Sequence, residues 1–273
     1  MKTILFRLLA SLLVLSAFRS SAAAAETASH AKRGWVQLFN GRNLDGWTMK
    51  IAGHPLGDNY AGTFRVEDGM IKASYDNYPK FAMQFGHLYT NVAYSHYILR
   101  LEYRFDGHVM PDAPEWSNFN SGVMIHSQSP LSLFLEQQFP VSLEFQFLAA
   151  GGEGPRQTGS VCTPGTNIEI GGKLITDHIV RSTSPVFQPS DWVKIEAEVH
   201  GNREIIYRVN GKEVLRYQHP QLDPNETDPQ RHQAVDQLLA AGADFMLSSG
   251  HIALQAEGIP VWFRNIELLP LDD

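Results

Sequence analysis

A histidine and a glutamate occupy two strand-like segments from which they could do acid–base or metal chemistry. In NFNSGVMIHS, residues 118–127, side chains two apart point the same way, so Asn120 and His126 are predicted to share one face. In VSLEFQFL, residues 141–148, apolar residues alternate with polar ones, so Glu144 and Gln146 are predicted to project from the face opposite the apolar side chains.

These two segments are consecutive along the chain, and consecutive strands are often neighbours in a sheet. We therefore expect His126 and Glu144 to stand on one surface within hydrogen-bond reach. A histidine beside a carboxylate has an oriented and more basic imidazole, which suits a general base or a metal ligand. A structural strand histidine and a solvated strand face explain the same residues without chemistry.

A second polar group is predicted near the carboxyl end of the chain. Gln255 and Glu257 alternate with apolar residues in HIALQAEG, and Arg264 lies in the return strand VWFRNIELL. The planar guanidinium of Arg264 can bind a substrate oxygen or form a salt bridge that locks the sheet. Four aromatic residues could stack on sugar rings or belong to the core: Trp47, Tyr60, Trp116 and Trp262.

The elements that must position these residues are predicted to be antiparallel strands. Period-two alternation recurs along the chain, and three alternating runs between residues 191 and 218 are joined by Gly201-Asn202 and Asn210-Gly211. The Asn-Gly pair favours a type I′ hairpin turn, as Asp68-Gly69 does earlier. One helix is predicted in DPQRHQAVDQLLAAG, with Asp228 as its N-cap. The sequence predicts an all-β sandwich with one short helical insertion.

Composition and the amino-terminal segment narrow the function classes. The chain has 273 residues, a net charge of -7 and no polybasic cluster, which argues against nucleic-acid binding. Residues 1–25 combine basic, apolar and small residues in the order of a cleaved signal peptide, and the apolar run is too short to span a bilayer stably. We expect an exported, periplasmic or extracellular protein with a single domain over residues 26–273. Its one cysteine, Cys162, forms no internal disulfide and is predicted to be a buried small residue.

Six motifs, taken in order, resemble the 3-keto-disaccharide hydrolase family, formerly a domain of unknown function. They are LFNGRNLDGW, NSGVMIH, SLEFQF, VNGKEV, GHIALQAEG and FRNIEL, and the resemblance covers the chain from about Trp35 to Leu269. It implies a concanavalin A-like jelly-roll β-sandwich. Related glucanases carry a Glu-x-Asp-x-x-Glu strand for two-carboxylate hydrolysis. This chain has no second or third acid at that spacing after Glu144.

The resemblance implies cleavage of a glycoside already oxidised to a ketone at C3. The ketone acidifies the C2 proton, so a base can remove it, the enolate can expel the anomeric oxygen, and water can add to the enone. This route needs a base and a group that stabilises the enolate oxygen. A divalent metal ion bound through oxygen and imidazole ligands could supply that stabilisation, and the sequence leaves the cofactor open.

Carried onto this sequence, the resemblance assigns a role to each motif residue. His126 is predicted as the proton-transfer group or a metal ligand, and Glu144 as its partner or as the base. Predicted substrate-binding residues are Asn120, Gln146, Gln255, Glu257 and Arg264. The partner is a carbohydrate, with the oligomeric state left open. The alternatives are a non-catalytic carbohydrate-binding module and an interaction domain of the cell envelope.

Overall fold

Two antiparallel sheets form the part of the chain that the computed structural model describes, residues 34–152 and 154–272. The strands are β1 (Val36–Gln37), β2 (Trp47–Ile51), β3 (Phe64–Glu67), β4 (Met70–Ala73), β5 (Gly86–Tyr94), β6 (His96–Phe105), β7 (Asn120–Ser127), β8 (Leu143–Leu148), β9 (Val161–Cys162), β10 (Thr166–Ile170), β11 (Lys173–Ile175), β12 (Ile179–Val180), β13 (Val193–His200), β14 (Glu204–Val209), β15 (Lys212–Leu222), β16 (Gly250–Ala256) and β17 (Val261–Pro270). The larger sheet has ten strands in the order β11-β10-β15-β14-β13-β6-β17-β4-β3, with β1 paired to β17. The smaller sheet has seven in the order β12-β9-β8-β7-β16-β5-β2. The predicted all-β jelly-roll sandwich is confirmed.

The core lies between the sheets, where aliphatic side chains surround pairs of stacked aromatic rings. Tyr103 of the ten-stranded sheet stacks on Phe147 of the seven-stranded sheet with ring centroids 4.1 Å apart. Phe145 stacks in the same way on Tyr207, at 4.0 Å. Such pairs contribute about 0.5–1.5 kcal/mol each beyond the area they bury. Because Phe145 and Phe147 face the core, the intervening residues of β8 must face outward. We call this outer face of the seven-stranded sheet the site face.

Hairpins and the helix form where their local chemistry predicts them. Asn210 and Gly211 both have positive φ, 48° and 80°, as a type I′ turn requires, and they join β14 to β15. The α-helix of the described residues, α1 (Pro229–Ala240), begins at Asp228, whose carboxylate accepts hydrogen bonds from the backbone N–H groups of Gln230 and Arg231. This helix places Arg231 against the site face.

Two further predictions concern the amino-terminal signal peptide and the membrane. The signal peptide predicted at residues 1–25 lies outside the described residues, so it stays a prediction. Across residues 34–152 and 154–272, no helix has the length and hydropathy needed to cross a membrane.

Candidate functional site

A cavity of about 480 Å³ opens on the site face. Its polar lining includes Asn120, Glu144, Gln146 and Glu257, its basic lining Arg156, Arg181 and Arg231, and its aromatic lining Trp116 and Phe139. The structure thus brings four of the predicted site residues into one cavity. They come from β7, from β8 and from the turn that follows β16.

Glu144 lies across the backbone of Gly122 on the neighbouring strand. In the antiparallel register of β7 and β8, Met124 is opposite Glu144 and Gly122 is opposite Gln146. A Cβ atom at Gly122 would lie 2.6 Å from Oε1 and 2.7 Å from Cγ of Glu144. A residue without a side chain is therefore required here, because the carboxyl group occupies the space that a side chain would fill.

Glu144 and Glu257 form a buried pair of carboxyl groups. Burial raises the pKa of Glu144 to about 8. Burial, together with the nearby Glu144, raises the pKa of Glu257 well above its usual range, and Arg156 opposes that rise. Coupled carboxyls ionise in two steps that belong to the pair, so once the first proton has left, at about pH 8, the two groups share the remaining one. Oε1 of Glu144 and Oε2 of Glu257 are buried without a hydrogen-bond partner in the described structure.

Gln255 lies next to the pair but is fully buried, with an exposure of 0%. It occupies β16 opposite His87 of β5. Its carboxamide partly offsets the raised pKa of Glu144, although it makes no hydrogen bond of regular geometry with the carboxyl group. Gln255 can therefore position Glu144. It does not line the cavity, so a ligand in the cavity does not reach it directly.

Two carboxamides beside the pair keep much of their bonding capacity. Nε2 of Gln146 donates to Oδ1 of Asn120 at 3.4 Å, and Nδ2 of Asn120 donates to the carbonyl of Trp116 at 3.3 Å. Both hydrogen bonds are long, so a ligand hydroxyl can compete for these groups.

Arg156 is a functional candidate that the sequence patterns do not indicate. The guanidinium is largely buried and donates to three backbone carbonyls, those of Ala149, Asn118 and Phe119. Its Nη1 has no partner among the described residues, and its charge acts on Glu257. The residue lies in an irregular loop, where no periodic pattern marks which way a side chain points.

One aromatic residue offers an open surface at the cavity. Trp116 is 47% exposed, and its ring stacks on Phe85 at 5.6 Å with an interplanar angle of 7°. Trp47 and Trp262, in contrast, are buried and use their indole N–H groups within the fold. Trp116 is thus the tryptophan of the cavity wall on which an apolar sugar face can stack.

The prediction that His126 shares a surface with Glu144 is wrong. His126 has a φ of 49°, and the pairing of β7 with β16 shifts there: Met124 is opposite Ala253, whereas Ser127 is opposite His251. One extra residue on β7 makes a β-bulge, which interrupts alternation and redirects the side chain.

The redirected imidazole donates from Nε2 to the carbonyl of Gly201, at 3.0 Å, in the turn between β13 and β14 of the other sheet. Burial lowers the pKa of His126 to about 4. His126 instead lines a second cavity, of about 290 Å³. The predicted His126–Glu144 metal ligand pair does not form, and the described residues contain no cluster of three or more His, Cys, Asp or Glu suited to a metal ion. We derive no step through a metal.

Arg264 also lies away from the cavity. Its guanidinium pairs with Glu102 of β6, with Nη2 2.7 Å from Oε2, and its Cζ lies 3.8 Å from the ring centre of Trp192. These contacts belong to the ten-stranded sheet, so Arg264 forms the predicted alternative, a salt bridge within the sheet, and does not line the cavity that holds Glu144. Alternation indicates a face but not to which of two sheets a strand belongs.

Comparison with known proteins identifies the family. The sequence model of the 3-keto-alpha-glucoside-1,2-lyase-like domain matches residues 34–269. The chain belongs to this family. The match confirms the resemblance carried by the six motifs, and membership ties the chain to carbohydrates. Among proteins of curated function, none matches the chain.

Solved structures agree with the fold. Two structures from Parabacteroides distasonis ATCC 8503, each described as a candidate glycosyl hydrolase, are both 18% identical with a TM-score of 0.51. The alignments cover 88% and 87% of this chain and 94% and 100% of those chains. The carbohydrate-binding module CBM66 from Bacillus subtilis is 9% identical with a TM-score of 0.42, over 82% of this chain and 95% of that one. At these identities the likeness concerns the fold alone.

Proposed function

We propose that the chain is an exported enzyme that cleaves the glycosidic bond of 3-keto-glycosides, with Glu144 and Glu257 as its acid–base pair. The observation that carries the proposal is the pair itself: two buried carboxyls with raised pKa values and unpartnered oxygens at a cavity. Once the first proton has left, the pair holds a base and an acid together. Elimination from a 3-keto-glycoside requires both.

In the first step the ionised carboxyl of the pair takes the proton from C2 of the sugar. The C2–H electrons form the C2=C3 double bond, and the ketone becomes an enolate. Arg156, whose guanidinium is held at the cavity by three backbone carbonyls, supplies a fixed positive charge for the enolate oxygen. The carboxamides of Asn120 and Gln146 bind the sugar hydroxyls.

In the second step the enolate reforms the ketone and expels the oxygen at C1, which leaves a C1=C2 enone. The protonated carboxyl of the pair gives its proton to the departing oxygen, so the alcohol leaves neutral. The two carboxyls have now exchanged protonation states. Addition of water to C1 runs the same transfers in reverse, which returns the pair to its starting state and gives the free 3-keto sugar.

The experiment compares a 3-keto aryl glucoside with its unoxidised parent, with and without a chelator, and measures release of the phenol. We expect release from the ketone alone. Absence of release from both sugars contradicts enzymatic cleavage of this bond. Release from the unoxidised parent at a similar rate points instead to ordinary two-carboxylate hydrolysis, for which the same pair supplies the groups.

A carbohydrate-binding module is the second candidate function, and Trp116 is the observation that favours it. A half-exposed tryptophan beside two carboxamides can hold a sugar without reacting with it. Calorimetric titration with the unoxidised glucoside separates the candidates when it is paired with the release assay. Binding without release from the ketone identifies a module.

Export rests on the amino-terminal residues alone. The basic, apolar and small segments of residues 1–25 are the basis of the proposal. Mass spectrometry of the protein expressed with its full amino terminus tests it. A mature chain that begins near residue 26 supports export, and retention of Met1 contradicts cleavage.

A further inference from the structure

The cavity has a basic wall in a chain of acidic composition. The net charge of the chain is -7, yet Arg156, Arg181 and Arg231 line the same cavity. The carboxyl pair carries a single negative charge when it shares a proton, so it balances one of these three arginines. Arg156 serves that balance, because it is the arginine whose charge acts on Glu257. Arg231 is paired with Glu226, so among the described residues the charge of Arg181 remains without a carboxylate partner.

Arg231 is held in place with one nitrogen to spare. Its Nε and Nη2 donate to the two carboxylate oxygens of Glu226 at 2.9 and 3.3 Å. Glu226 is itself fixed, because it accepts from the backbone N–H groups of Gly165 and Asp228. Nη1 of Arg231 is not needed for this contact. Its charge reaches the cavity wall, since burial and the carboxyl pair raise the pKa of Cys162 and Arg231 opposes that rise.

Arg181 is exposed at the cavity and makes no hydrogen bond or ion pair with any residue in the described ranges. It directly follows β12, which pairs with β9, and Cys162 of β9 lies opposite Glu144. Two strand spacings, about 9–10 Å, therefore separate β12 from β8. A group that contacts Arg181 is not the reacting carbon but a substituent about one sugar ring away.

We propose that the cavity takes glycosides that carry a carboxylate, which Arg181 and Arg231 bind while the reacting carbon lies at Glu144 and Glu257. The location of the reacting carbon rests on the proposed function. A guanidinium fork matches a carboxylate; Arg181 has its fork free of partners among the described residues, and Arg231 adds Nη1 at the same cavity. The carboxylate can belong to a uronic acid ring or to the leaving group, and both sources give the same contact.

Calorimetric titration with three unoxidised aryl glycosides of one anomeric configuration tests the proposal without turnover. The neutral probe is 4-nitrophenyl glucoside, and the charged probes are 4-nitrophenyl glucuronide and 4-carboxyphenyl glucoside. We expect at least one charged probe to bind about tenfold more tightly than the neutral one, the size of one charge-assisted contact. A preference for the glucuronide places the carboxylate on the sugar, and a preference for the carboxyphenyl compound places it on the leaving group.

Matched variants locate the contact. Arg181→Gln should remove most of the preference and leave the affinity for the neutral probe unchanged. Arg203→Gln, which removes the same charge from an exposed turn of the ten-stranded sheet, should change neither. Arg231→Gln should act like Arg181→Gln, and Arg231→Lys covers the case in which loss of the Glu226 contact impairs folding.

Equal affinity for all three probes overturns the inference, as does a carboxylate preference that survives in Arg181→Gln. These outcomes are independent of the release assay. A carboxylate preference without release from any 3-keto glycoside leaves the inference standing and sinks the proposed reaction. Release without a preference does the opposite.

Discussion

Glu144 and His126 lie on adjacent strands, and both are almost fully buried, with exposures of 6% and 1%. Each has a polar atom without a partner in the described structure, Oε1 of Glu144 and Nδ1 of His126. Yet Glu144 adjoins a second carboxyl, a guanidinium and two carboxamides at a cavity. His126 is anchored to the backbone of the opposite sheet.

The difference shows that burial and a perturbed pKa do not by themselves identify a reactive group. His126 has a pKa lowered by burial, and its one hydrogen bond fixes it to the fold. The raised pKa of Glu257 comes in part from a second ionisable group, and that coupling is what lets a proton move between two sites. Replacing residues in the two regions should therefore give opposite results.

The largest effect is expected at the carboxyl pair. Glu144→Gln and Glu257→Gln should each lower kcat/KM for a 3-keto aryl glucoside by about 10³-fold, because each removes one proton-transfer group. A series of phenol leaving groups assigns the roles. The variant that regains activity with a good leaving group has lost the acid, and the one that does not has lost the base.

Glu115→Gln is the matched control, because Glu115 is exposed beside Trp116 and undergoes the same chemical change. It should keep full activity. Full activity in both Glu144→Gln and Glu257→Gln would contradict a catalytic role for the carboxyl pair.

His126 should govern stability toward acid rather than activity. Its folded pKa of about 4 lies below the ordinary histidine value of 6.5, so the unfolded chain binds more protons between these pH values. The free energy of unfolding should then fall as the pH drops from 6.5 to 4, by about 3 kcal/mol from this residue. Urea unfolding at pH 5 and 7 measures the slope.

His126→Gln should flatten that slope and keep kcat/KM within about threefold at pH 7, since the imidazole is not part of the cavity that holds Glu144. His87, whose pKa burial lowers to about 3, adds to the slope in both proteins, so only the difference between them reports on His126. If His126→Gln left the pH dependence of unfolding unchanged and abolished activity, His126 would be a catalytic residue.

The carboxyl pair should show the opposite pH dependence of stability. A folded pKa above the unfolded value means that the folded state binds more protons, so stability falls as the pH rises from about 4.5 to 8. Glu144→Gln should raise the free energy of unfolding at pH 8 by about 1–2 kcal/mol, since it removes a buried charge that serves activity. Thermal unfolding at pH 5 and pH 8 tests this, and a variant less stable than the parent at pH 8 contradicts it.

The smallest effect is expected at the cavity wall. Trp116→Ala should raise KM about fivefold and leave kcat nearly unchanged, because stacking holds the sugar equally in the ground state and the transition state. Trp116→Phe retains an apolar ring and should recover most of the loss. A fall in kcat at unchanged KM would indicate that Trp116 acts in the chemical step rather than in substrate binding.

The sequence predicts the sandwich well because its information is local. Alternation in SHYILRLEYRF predicts which side of β6 is buried, and Asn210-Gly211 predicts the hairpin that follows β14. The same alternation predicts the outward face of Glu144. It fails for His126, because a bulge depends on the pairing with β16 and not on residue types.

Other parts of the site depend on tertiary structure, and no periodic pattern in the sequence marks their residues. Arg156 and Arg181 lie in irregular segments, and Arg231 lies on a helix far along the chain. The closeness of Glu144 to Glu257 requires that β7 pair with both β8 and β16. The sequence of β8 itself contains no second acid near Glu144. The second carboxyl is that of Glu257, more than a hundred positions later in the chain.

The bare backbone of Gly122 beneath Glu144 offers a way to sort the relatives of this chain. A relative could have both glutamates but a larger residue in place of Gly122. The side chain equivalent to Glu144 would then have to lie elsewhere. Inspection of the two acidic positions alone would miss that difference. The absence of a side chain at position 122 is therefore the more discriminating marker of the arrangement of Glu144 described above.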